Sequence, residues 1–250
     1  GLNAAWVAAK RGHEVHLYEK QSYLGGQLVP GSRTAYKREM QSLINFQKRQ
    51  VELNGVICHM GQEVTAQTVQ KENPDVVILA TGSRPILPPV EGIDEASVET
   101  FDVVLSGDVK ENETTVIIGG GSTGCEVAYH LSETGTPVTI VELLPKIGGD
   151  LEAVTKKLLV RKLKENNVRI LTEHRLLRVG KNSVVVAGPD DIEHIIEAQR
   201  VVVAIGTRQD DTIHQQIKSL GFETHVIGDC LEPRTAKSAI YEGAKLGRSI

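Results

Sequence analysis

The sequence has few cysteines and few aromatic residues, and the first shortage already excludes two kinds of redox protein. Its three cysteines, Cys58, Cys125 and Cys230, form no Cys-x-x-Cys pair and cannot supply the four thiolates of an iron–sulfur cluster. We therefore expect neither a redox dithiol nor a cluster within these residues. So few, widely spaced cysteines are typical of a reducing compartment, and we expect a cytoplasmic protein.

An excess of basic residues and a long apolar run are also absent. The chain carries 28 Lys and Arg against 32 Asp and Glu, a net charge of −4, which gives no basic footprint for nucleic acid. No apolar run reaches the roughly 18 residues of a membrane span, so we expect no membrane partner. With 250 residues, 40% of them hydrophobic and 24% charged, the composition fits one large or two modest globular domains.

Glycine is the residue in excess, with 24 of 250, and its placement is informative. Residues 116–124 carry a β-branched run into a Gly-x-Gly-x-x-Gly turn made by Gly119, Gly121 and Gly124. A helical stretch follows, and then a second apolar run that ends at Glu142, 18 residues after the third glycine. Strand, glycine turn, helix, strand and acid together are typical of a dinucleotide-binding βαβ unit.

The start of the chain repeats this pattern. Gly1 corresponds to the third glycine and Glu19 to the acid, at an offset of 123 without a gap, and Gly12 and Gly25-Gly26 have counterparts at the same offset. Residues 79–84 match 203–208 at an offset of 124. Chance agreement at this many positions is improbable, and the chain therefore contains two copies of one module.

The two copies predict the fold class and the domain boundaries. We expect an α/β protein with two Rossmann-like dinucleotide-binding domains, the second inserted in the first. The first is expected at 1–110 and 207–250, and the second at 111–206. The first copy has nothing to match 116–123, so we expect its first strand and first two glycines to lie upstream of Gly1, in a longer chain. The alternative is a natural start at a degenerate helix.

Apolar periodicity and turn residues predict the individual elements. Helices are expected at 1–12, 36–53, 122–134, 151–166 and 235–250. The second is expected to face inward with Met40, Leu43 and Ile44, and Phe46 and Leu53 are further candidates for that face. Strands are expected at 15–19, 56–58, 76–80, 115–118, 138–142, 168–171, 201–205 and 225–229, with short β pieces between 174 and 199.

Each module offers an anion-binding turn and an acid. Glycine lacks the Cβ that would block a pyrophosphate from backbone N–H groups, so Gly121 and Gly124 are expected to face one nucleotide and Gly1 the other. Glu19 and Glu142 are expected to accept hydrogen bonds from ribose hydroxyls, and a carboxylate there favours NADH over NADPH. The alternative for each acid is an exposed residue at a strand end.

A third acid follows the last predicted strand. Asp229, next to Gly228, is placed to bind a flavin ribityl hydroxyl, and the alternative is an ordinary turn residue that caps a helix. Cys125 and Cys230 are expected to be structural, and linker packing is the expected role of Arg84 and Arg208.

These motifs together resemble a known family. Gly25-Gly26-Gln27-Leu28, Ala80-Thr81-Gly82, the turn at 119–124 and Ile227-Gly-Asp-Cys-x-Glu-Pro-Arg are similar to pyridine nucleotide-disulfide reductase-like flavoproteins. More specifically, they resemble the C-terminal half of the NADH:flavin oxidoreductases related to 2-enoate reductase, 2,4-dienoyl-CoA reductase and trimethylamine dehydrogenase. The resemblance covers essentially the whole sequence.

The resemblance implies an enzyme module that passes a hydride from NADH to FAD. It implies FAD in the first domain, held by Gly1, Glu19, Gly26, Gln27, Thr81, Gly82, Gly228 and Asp229. It implies NADH in the second, held by Gly119, Gly121, Gly124 and Glu142. The cofactors carry the chemistry, so we expect no catalytic side chain and no metal ligand in this chain.

The resemblance also implies an N-terminal (β/α)₈ barrel with FMN and a four-iron cluster, which would pass the electrons to an enoate or enoyl-CoA type of small-molecule substrate. None of that barrel is in the sequence. Two other interpretations stay open: a dithiol reductase of similar shape, disfavoured by the absent Cys-x-x-Cys, and a non-catalytic scaffold with ADP in the first site, as in an amine dehydrogenase-like electron-transfer flavoprotein. The sequence does not indicate an oligomeric state.

Overall fold

The computed structural model describes residues 1–34, 37–107 and 112–250. The chain forms two compact units. The first unit comprises Gly1–Ser32, Tyr36–Arg84 and Thr207–Ile250, and the second comprises Arg33–Ala35 and Pro85–Gly206. Mixed α/β structure with parallel sheets confirms the predicted fold class.

Helices and strands alternate along much of the chain. The helices are α1 Leu2–Lys10, α2 Leu28–Gly31, α3 Met40–Leu53, α4 Ala66–Glu72, α5 Phe101–Ser106, α6 Ser122–Ser132, α7 Ala153–Glu165, α8 His214–Lys218 and α9 Ala236–Ser249. The strands are β1 His16–Glu19, β2 Ile57–Met60, β3 Val76–Leu79, β4 Ser83–Pro85, β5 Val98–Thr100, β6 Thr115–Ile118, β7 Val138–Val141, β8 Arg169–Leu171, β9 Arg175–Gly180, β10 Ser183–Ala187, β11 Glu193–Glu197, β12 Arg200–Val203, β13 Thr207–Gln209 and β14 Glu223–Val226.

The second unit is built on a five-stranded parallel sheet in the order β5-β12-β6-β7-β8. Every residue of β6, β7 and β12 is buried. One face packs on apolar residues of α5, α6 and α7, and the other packs on the antiparallel β9–β11 sheet. The β-branched runs of these strands suit a sheet that is covered on both faces.

The first unit has a smaller core around Val69, Leu79 and Ile217. Its helices α1 and α9 pack closely because Gly243 and Gly247 have no side chain. A Cβ at Gly247 would come within 2.8 Å of the Ala4 carbonyl oxygen. Three two-stranded sheets complete the unit, namely β1-β2, β14-β3 and β13-β4.

The sheets of the two units differ at one place. In the second unit β6, the strand before the glycine turn, lies between β7 and β12. In the first unit the corresponding strands are β1 and β3, and among the described residues no strand joins them. The parallel sheet of the first unit is therefore divided into two pairs, β2-β1 and β3-β14.

The chain enters the second unit at Pro85, before the predicted boundary at 110–111, two residues that lie outside the described ranges. Residues 85–107 belong to the second unit because β5 pairs with β12, and because Val104 and Leu105 of α5 join the core around α6. The chain returns at Thr207, where the return was predicted.

Two predictions about helices and strands need correction, and a third concerns a residue outside the described ranges. In α3 the predicted inward residue Ile44 is buried, but the further candidates Phe46 and Leu53 are 52% and 59% exposed. Gln47 and Val51 complete the buried face. The last predicted strand ends at Val226, and Gly228–Cys230 forms a 3₁₀ turn. The predicted start of the second helix at residue 36 lies outside the described residues.

Within the described parts of the chain, no helix combines the length and the apolar character that crossing a membrane requires.

Candidate nucleotide sites

The glycine turn of the second unit connects β6 to α6, and two of its glycines are required by the fold. Gly119 has a φ of +105°, and a Cβ there would lie 2.4 Å from the Ala204 carbonyl oxygen. A Cβ at Gly124 would lie 1.9 Å from the carbonyl oxygen of Gly119. These two residues let the backbone reverse direction tightly and let α6 pack against the turn.

Gly121 is different, because nothing in the fold requires a glycine there. It precedes α6 with an ordinary extended backbone. The atoms nearest to a Cβ on Gly121 would be those of the Asp150 carboxylate, at 3.6 Å, an ordinary van der Waals contact. The space that glycine leaves therefore faces the N-terminal end of α6, where backbone N–H groups and the helix dipole favour an anion. This geometry fits a diphosphate approaching the backbone.

Glu142 is buried, which contradicts the alternative of an exposed acid at a strand end. It is 9% exposed, and it directly follows β7. Its Oε2 accepts a hydrogen bond from the Gly120 N–H at 2.5 Å, and its Oε1 accepts one from the Leu144 N–H at 2.7 Å. The carboxylate thus positions the glycine turn itself. Further lone pairs on its oxygens can still accept a ribose hydroxyl.

Asp150 is the functional candidate that sequence reasoning missed. Its Oδ1 accepts from the Ser122 N–H at 2.8 Å, and its Oδ2 accepts from the Ser122 hydroxyl at 2.7 Å. The carboxylate thereby caps the N-terminus of α6. The repeat could have indicated this residue, because Asp150 corresponds at the offset of 123 to Gln27, which is itself a predicted cofactor-binding residue.

In the first unit, Glu19 is the last residue of β1, whereas Glu142 directly follows the corresponding strand β7. The Glu19 Oε1 accepts from the Gln21 N–H at 2.9 Å, just as Glu142 accepts from Leu144 two residues further along. Glu19 is half-buried, and it lies in the strand pair β1-β2. The two acids therefore share the local geometry that the repeat predicts.

Two of the predicted flavin residues, Gln27 and Asp229, come together around Ser83, which sequence reasoning did not single out. The Gln27 side-chain amide donates to the Ser83 hydroxyl at 3.0 Å and to its carbonyl at 3.1 Å. The Ser83 side chain also interacts with the Asp229 carboxylate. Burial raises the pKa of Asp229, and a hydrogen bond from the Arg234 N–H opposes that rise. These three polar side chains form a cradle within one unit.

The remaining predicted flavin residues shape the backbone of the first unit, through positive φ values, a hydrogen bond to a carbonyl group and a close contact. Gly26, Gly82 and Gly228 have φ values of +52°, +80° and +70°, which favour glycine. The Thr81 hydroxyl donates to the Asp210 carbonyl at 2.6 Å, so this hydroxyl is used inside the protein. Gly1 precedes α1 and lies beside Ala80, where its Cβ would be 3.6 Å from the alanine side chain.

The two buried thiols are structural, as expected. Cys230 donates to the carbonyl oxygens of Leu79 and Ile227, both at 3.1 Å, and so ties the 3₁₀ turn to the end of β3. Burial raises the pKa of Cys125 to about 12, and the neighbouring carboxylates of Asp150, Glu126 and Glu142 add to this rise. A thiol of this kind stays protonated at neutral pH, so Cys125 does not act as a redox thiolate.

Comparisons with known proteins agree with this arrangement. The NADH oxidase of Thermoanaerobacter brockii is 32% identical over 255 residues, which cover 100% of this chain and 39% of the oxidase. The cinnamate reductase of Clostridium sporogenes is 30% identical over 253 residues, covering 100% of this chain and 38% of the reductase. The chain thus spans less than half the length of these relatives.

A solved structure is also similar to this chain over part of its length. The 2-naphthoyl-CoA reductase in its complex with 2-naphthoyl-CoA matches with a TM-score of 0.94 and 30% identity, over 100% of this chain and 38% of that chain. The relatives are oxidoreductases by name, and the resemblance to the C-terminal half of such enzymes is confirmed. Residues 1–231 match the family model described as pyridine nucleotide-disulphide oxidoreductase. The chain therefore belongs to the pyridine nucleotide-disulphide oxidoreductase family.

Proposed function

We propose that this chain is the electron-entry module of a flavin-dependent oxidoreductase, with FAD in the first unit and NADH in the second. The observation that carries the assignment of the second site is Gly121. The fold alone would tolerate a side chain at this residue, which leaves the approach of a ligand as the reason for glycine. The glycine turn, the N-terminal end of α6 and Glu142 lie together there, and these are the parts of a dinucleotide site.

The first unit has the polar groups that a flavin would need. Gln27, Ser83 and Asp229 lie together in one cradle, and glycines with positive φ keep the adjoining backbone free of side chains. Asp229 is half-buried, so its carboxylate is available to a ribityl hydroxyl. When bound, FAD would supply the hydride acceptor and NADH the hydride. The protein binds and orients the two.

The choice of NADH over NADPH rests on Glu142. Its carboxylate is held rigidly by two backbone N–H groups at the end of β7. A fixed negative charge there repels a 2′-phosphate and accepts the ribose hydroxyl of NADH. Replacing Glu142 with Ala should weaken NADH binding by about 1–3 kcal/mol, since a charge-assisted hydrogen bond is lost, and should relax discrimination against NADPH.

The final electron acceptor is proposed from the relatives. Cinnamate reductase and 2-naphthoyl-CoA reductase are named for an unsaturated acid and an aromatic acyl thioester. By analogy, the electrons would pass to an FMN- and four-iron-containing barrel that reduces an enoate or enoyl-CoA type of small molecule. Neither a nucleic acid nor a membrane takes part in this proposal. The few, widely spaced cysteines favour a cytoplasmic enzyme.

The experiment uses the protein at its full natural length. Extracted cofactors are identified by mass, and the flavin absorbance is followed anaerobically while NADH or NADPH is added. FAD that is bleached by NADH in preference to NADPH supports the proposal. ADP in place of FAD, with no bleaching by either nucleotide, would favour the non-catalytic scaffold and contradict the proposed function.

A further inference from the structure

The Asp150 carboxylate lies where the proposed function requires the diphosphate of the second nucleotide. It accepts two hydrogen bonds from Ser122, the first residue of α6, at 2.8 and 2.7 Å. Its two oxygens are 3.6 and 3.7 Å from the position of a Cβ on Gly121. A dinucleotide whose diphosphate approaches this glycine and this helix end meets a negative side chain that already uses the Ser122 donors.

The position of Asp150 is fixed by the loop that carries it. The Gly148 N–H donates to the Gly120 carbonyl at 2.6 Å, and Ile147 is buried. The loop is therefore attached to the glycine turn, whereas the Asp150 side chain itself is exposed to solvent. Rotation of one exposed side chain frees the helix end, and the loop does not have to move.

The first unit provides the contrast. At the corresponding position of the repeat, Gly26-Gln27-Leu28 carries a neutral amide where Gly149-Asp150-Leu151 carries a carboxylate. Gln27 donates through its amide nitrogen to Ser83. An amide does not repel a diphosphate, whereas a carboxylate does. The two modules thus differ in charge at equivalent places.

We propose that Asp150 is an affinity-setting residue that competes with the diphosphate of the pyridine nucleotide for the N-terminus of α6. Binding requires the carboxylate to rotate away from Ser122, so part of the binding free energy is used to displace it. The consequence is a weaker and more readily reversed complex in the second unit than in the first. A weaker complex suits NADH, because the oxidised nucleotide must dissociate after each hydride transfer, whereas the flavin stays bound. The inference rests on the proposed function, because it assumes that a dinucleotide binds there.

The test measures NAD⁺ binding by calorimetry to the full-length flavoprotein, because NAD⁺ binds without reducing the flavin. Asp150→Asn keeps the shape and the capping oxygen of the side chain but removes its charge. We expect it to bind NAD⁺ about tenfold more tightly at low ionic strength, the scale of one close charge repulsion near the protein surface. The gain should shrink as salt is raised, because screening weakens that repulsion in the wild type.

The matched control is Glu152→Gln. Glu152 is a carboxylate two residues away, but it caps α7 through the Val154 and Thr155 N–H groups and not α6. Its substitution removes the same charge from the same loop, and we expect NAD⁺ affinity within about twofold of the wild type, as for a screened surface charge. Asp150→Ser, which keeps a capping oxygen of smaller size, should tighten binding in the same direction as Asp150→Asn.

Several outcomes overturn the proposal. Unchanged or weaker NAD⁺ binding in Asp150→Asn would show that the carboxylate does not compete. An equal gain in Glu152→Gln would show a general charge effect. Loss of folding in both Asp150 variants would make the residue a structural cap only. If neither the wild type nor any variant bound NAD⁺, the proposed function itself would be contradicted, and the inference with it.

Discussion

The two units share one sequence pattern but differ in how completely that pattern is built into a sheet. In the second unit β6 is paired on both sides and fully buried, and the helices and the antiparallel sheet cover both faces. In the first unit β1 and β3 each pair with one parallel partner among the described residues, and most of their positions are only half-buried. The same strand–helix–strand motif therefore yields a large continuous core in one place and a small divided core in the other.

The difference between the two sheets shows what β6, the central strand of the second unit, contributes. A strand paired on both edges has partners for the backbone N–H and C=O groups on both of its sides, and it brings the two halves of the sheet into register. The glycine turn also depends on it, since Gly119 N–H donates to the Val141 carbonyl and Gly120 N–H to Glu142. In the first unit, the Glu19 carboxylate accepts from the Gln21 N–H, which corresponds to the bond between Glu142 and Leu144.

The largest expected difference between the units is in amide hydrogen exchange. Strands β6, β7 and β12 should exchange at least about a hundredfold more slowly than β1 and β3, because opening a buried, doubly paired strand requires far more of the unit to unfold. Exchange measured by mass spectrometry or NMR on the chain described here would show this. Equal protection of the two sets of strands would mean that the divided sheet is as cooperative as the continuous one.

The next largest effect is expected at Gly124. Its replacement by Ala places a Cβ 1.9 Å from the Gly119 carbonyl oxygen, a contact that forces α6 away from the turn. We expect a loss of stability of about 3 kcal/mol or more, at the upper end of the cost of overpacking. Urea unfolding measures it. Gly149→Ala is the control, since no atom lies within 4 Å of a Cβ there.

A smaller effect separates the two strand-end acids. Glu142→Gln keeps one acceptor oxygen but turns the other into a donor that faces a backbone N–H, and should destabilise the second unit by about 1–3 kcal/mol. Glu19→Gln keeps an oxygen for the single bond from Gln21, and should change stability by less than about 0.5 kcal/mol. Similar losses for both variants in urea unfolding would show that the first turn is stabilised as strongly as the second.

Part of the second site could be predicted from the sequence alone, and part could not. The spacing from Gly119 to Glu142 predicted the βαβ unit because glycine positions and strand ends obey local rules. The contact between Asp150 and Ser122 depends on how a loop of seven residues, 143–149, returns to the turn. Ser83 joins Gln27 and Asp229 across a sequence separation that no local pattern encodes.

The unit boundary was misplaced for a similar reason. Residues 85–92 contain the prolines and glycine of a linker, but β5 and α5 lie beyond them and belong to the second unit. The pairing of β5 with β12 is a long-range contact between short apolar segments. Phe46 and Leu53 fit a helical period, yet the burial of each depends on which neighbours cover that face of α3.

The smallest expected effect is a pH dependence confined to the first unit. Burial would raise the pKa of Asp210, but its hydrogen bonds with Arg84 and Thr212 outweigh burial and lower it. An acid whose pKa is lower in the folded state stabilises the protein at neutral pH, and this contribution is lost as the pH falls below about 4 toward the lowered value. Asp210→Asn should therefore raise the acid unfolding midpoint by a few tenths of a pH unit, as followed by circular dichroism. An unchanged midpoint would remove Asp210 from this role.

The central claim, that FAD binds in the first unit and NADH in the second, is tested most directly by two variants of the full-length protein. Each is scored for flavin content and for bleaching of its flavin by NADH. Gly121→Val places a branched side chain at the end of α6, where a Cβ makes only ordinary van der Waals contact with Asp150, so FAD should stay bound while NADH is excluded and bleaching stops. Asp229→Ala should lower the flavin content, while the second unit still folds and binds NAD⁺. Release of flavin by Gly121→Val with NADH binding intact would contradict the account, because the two sites would then be exchanged.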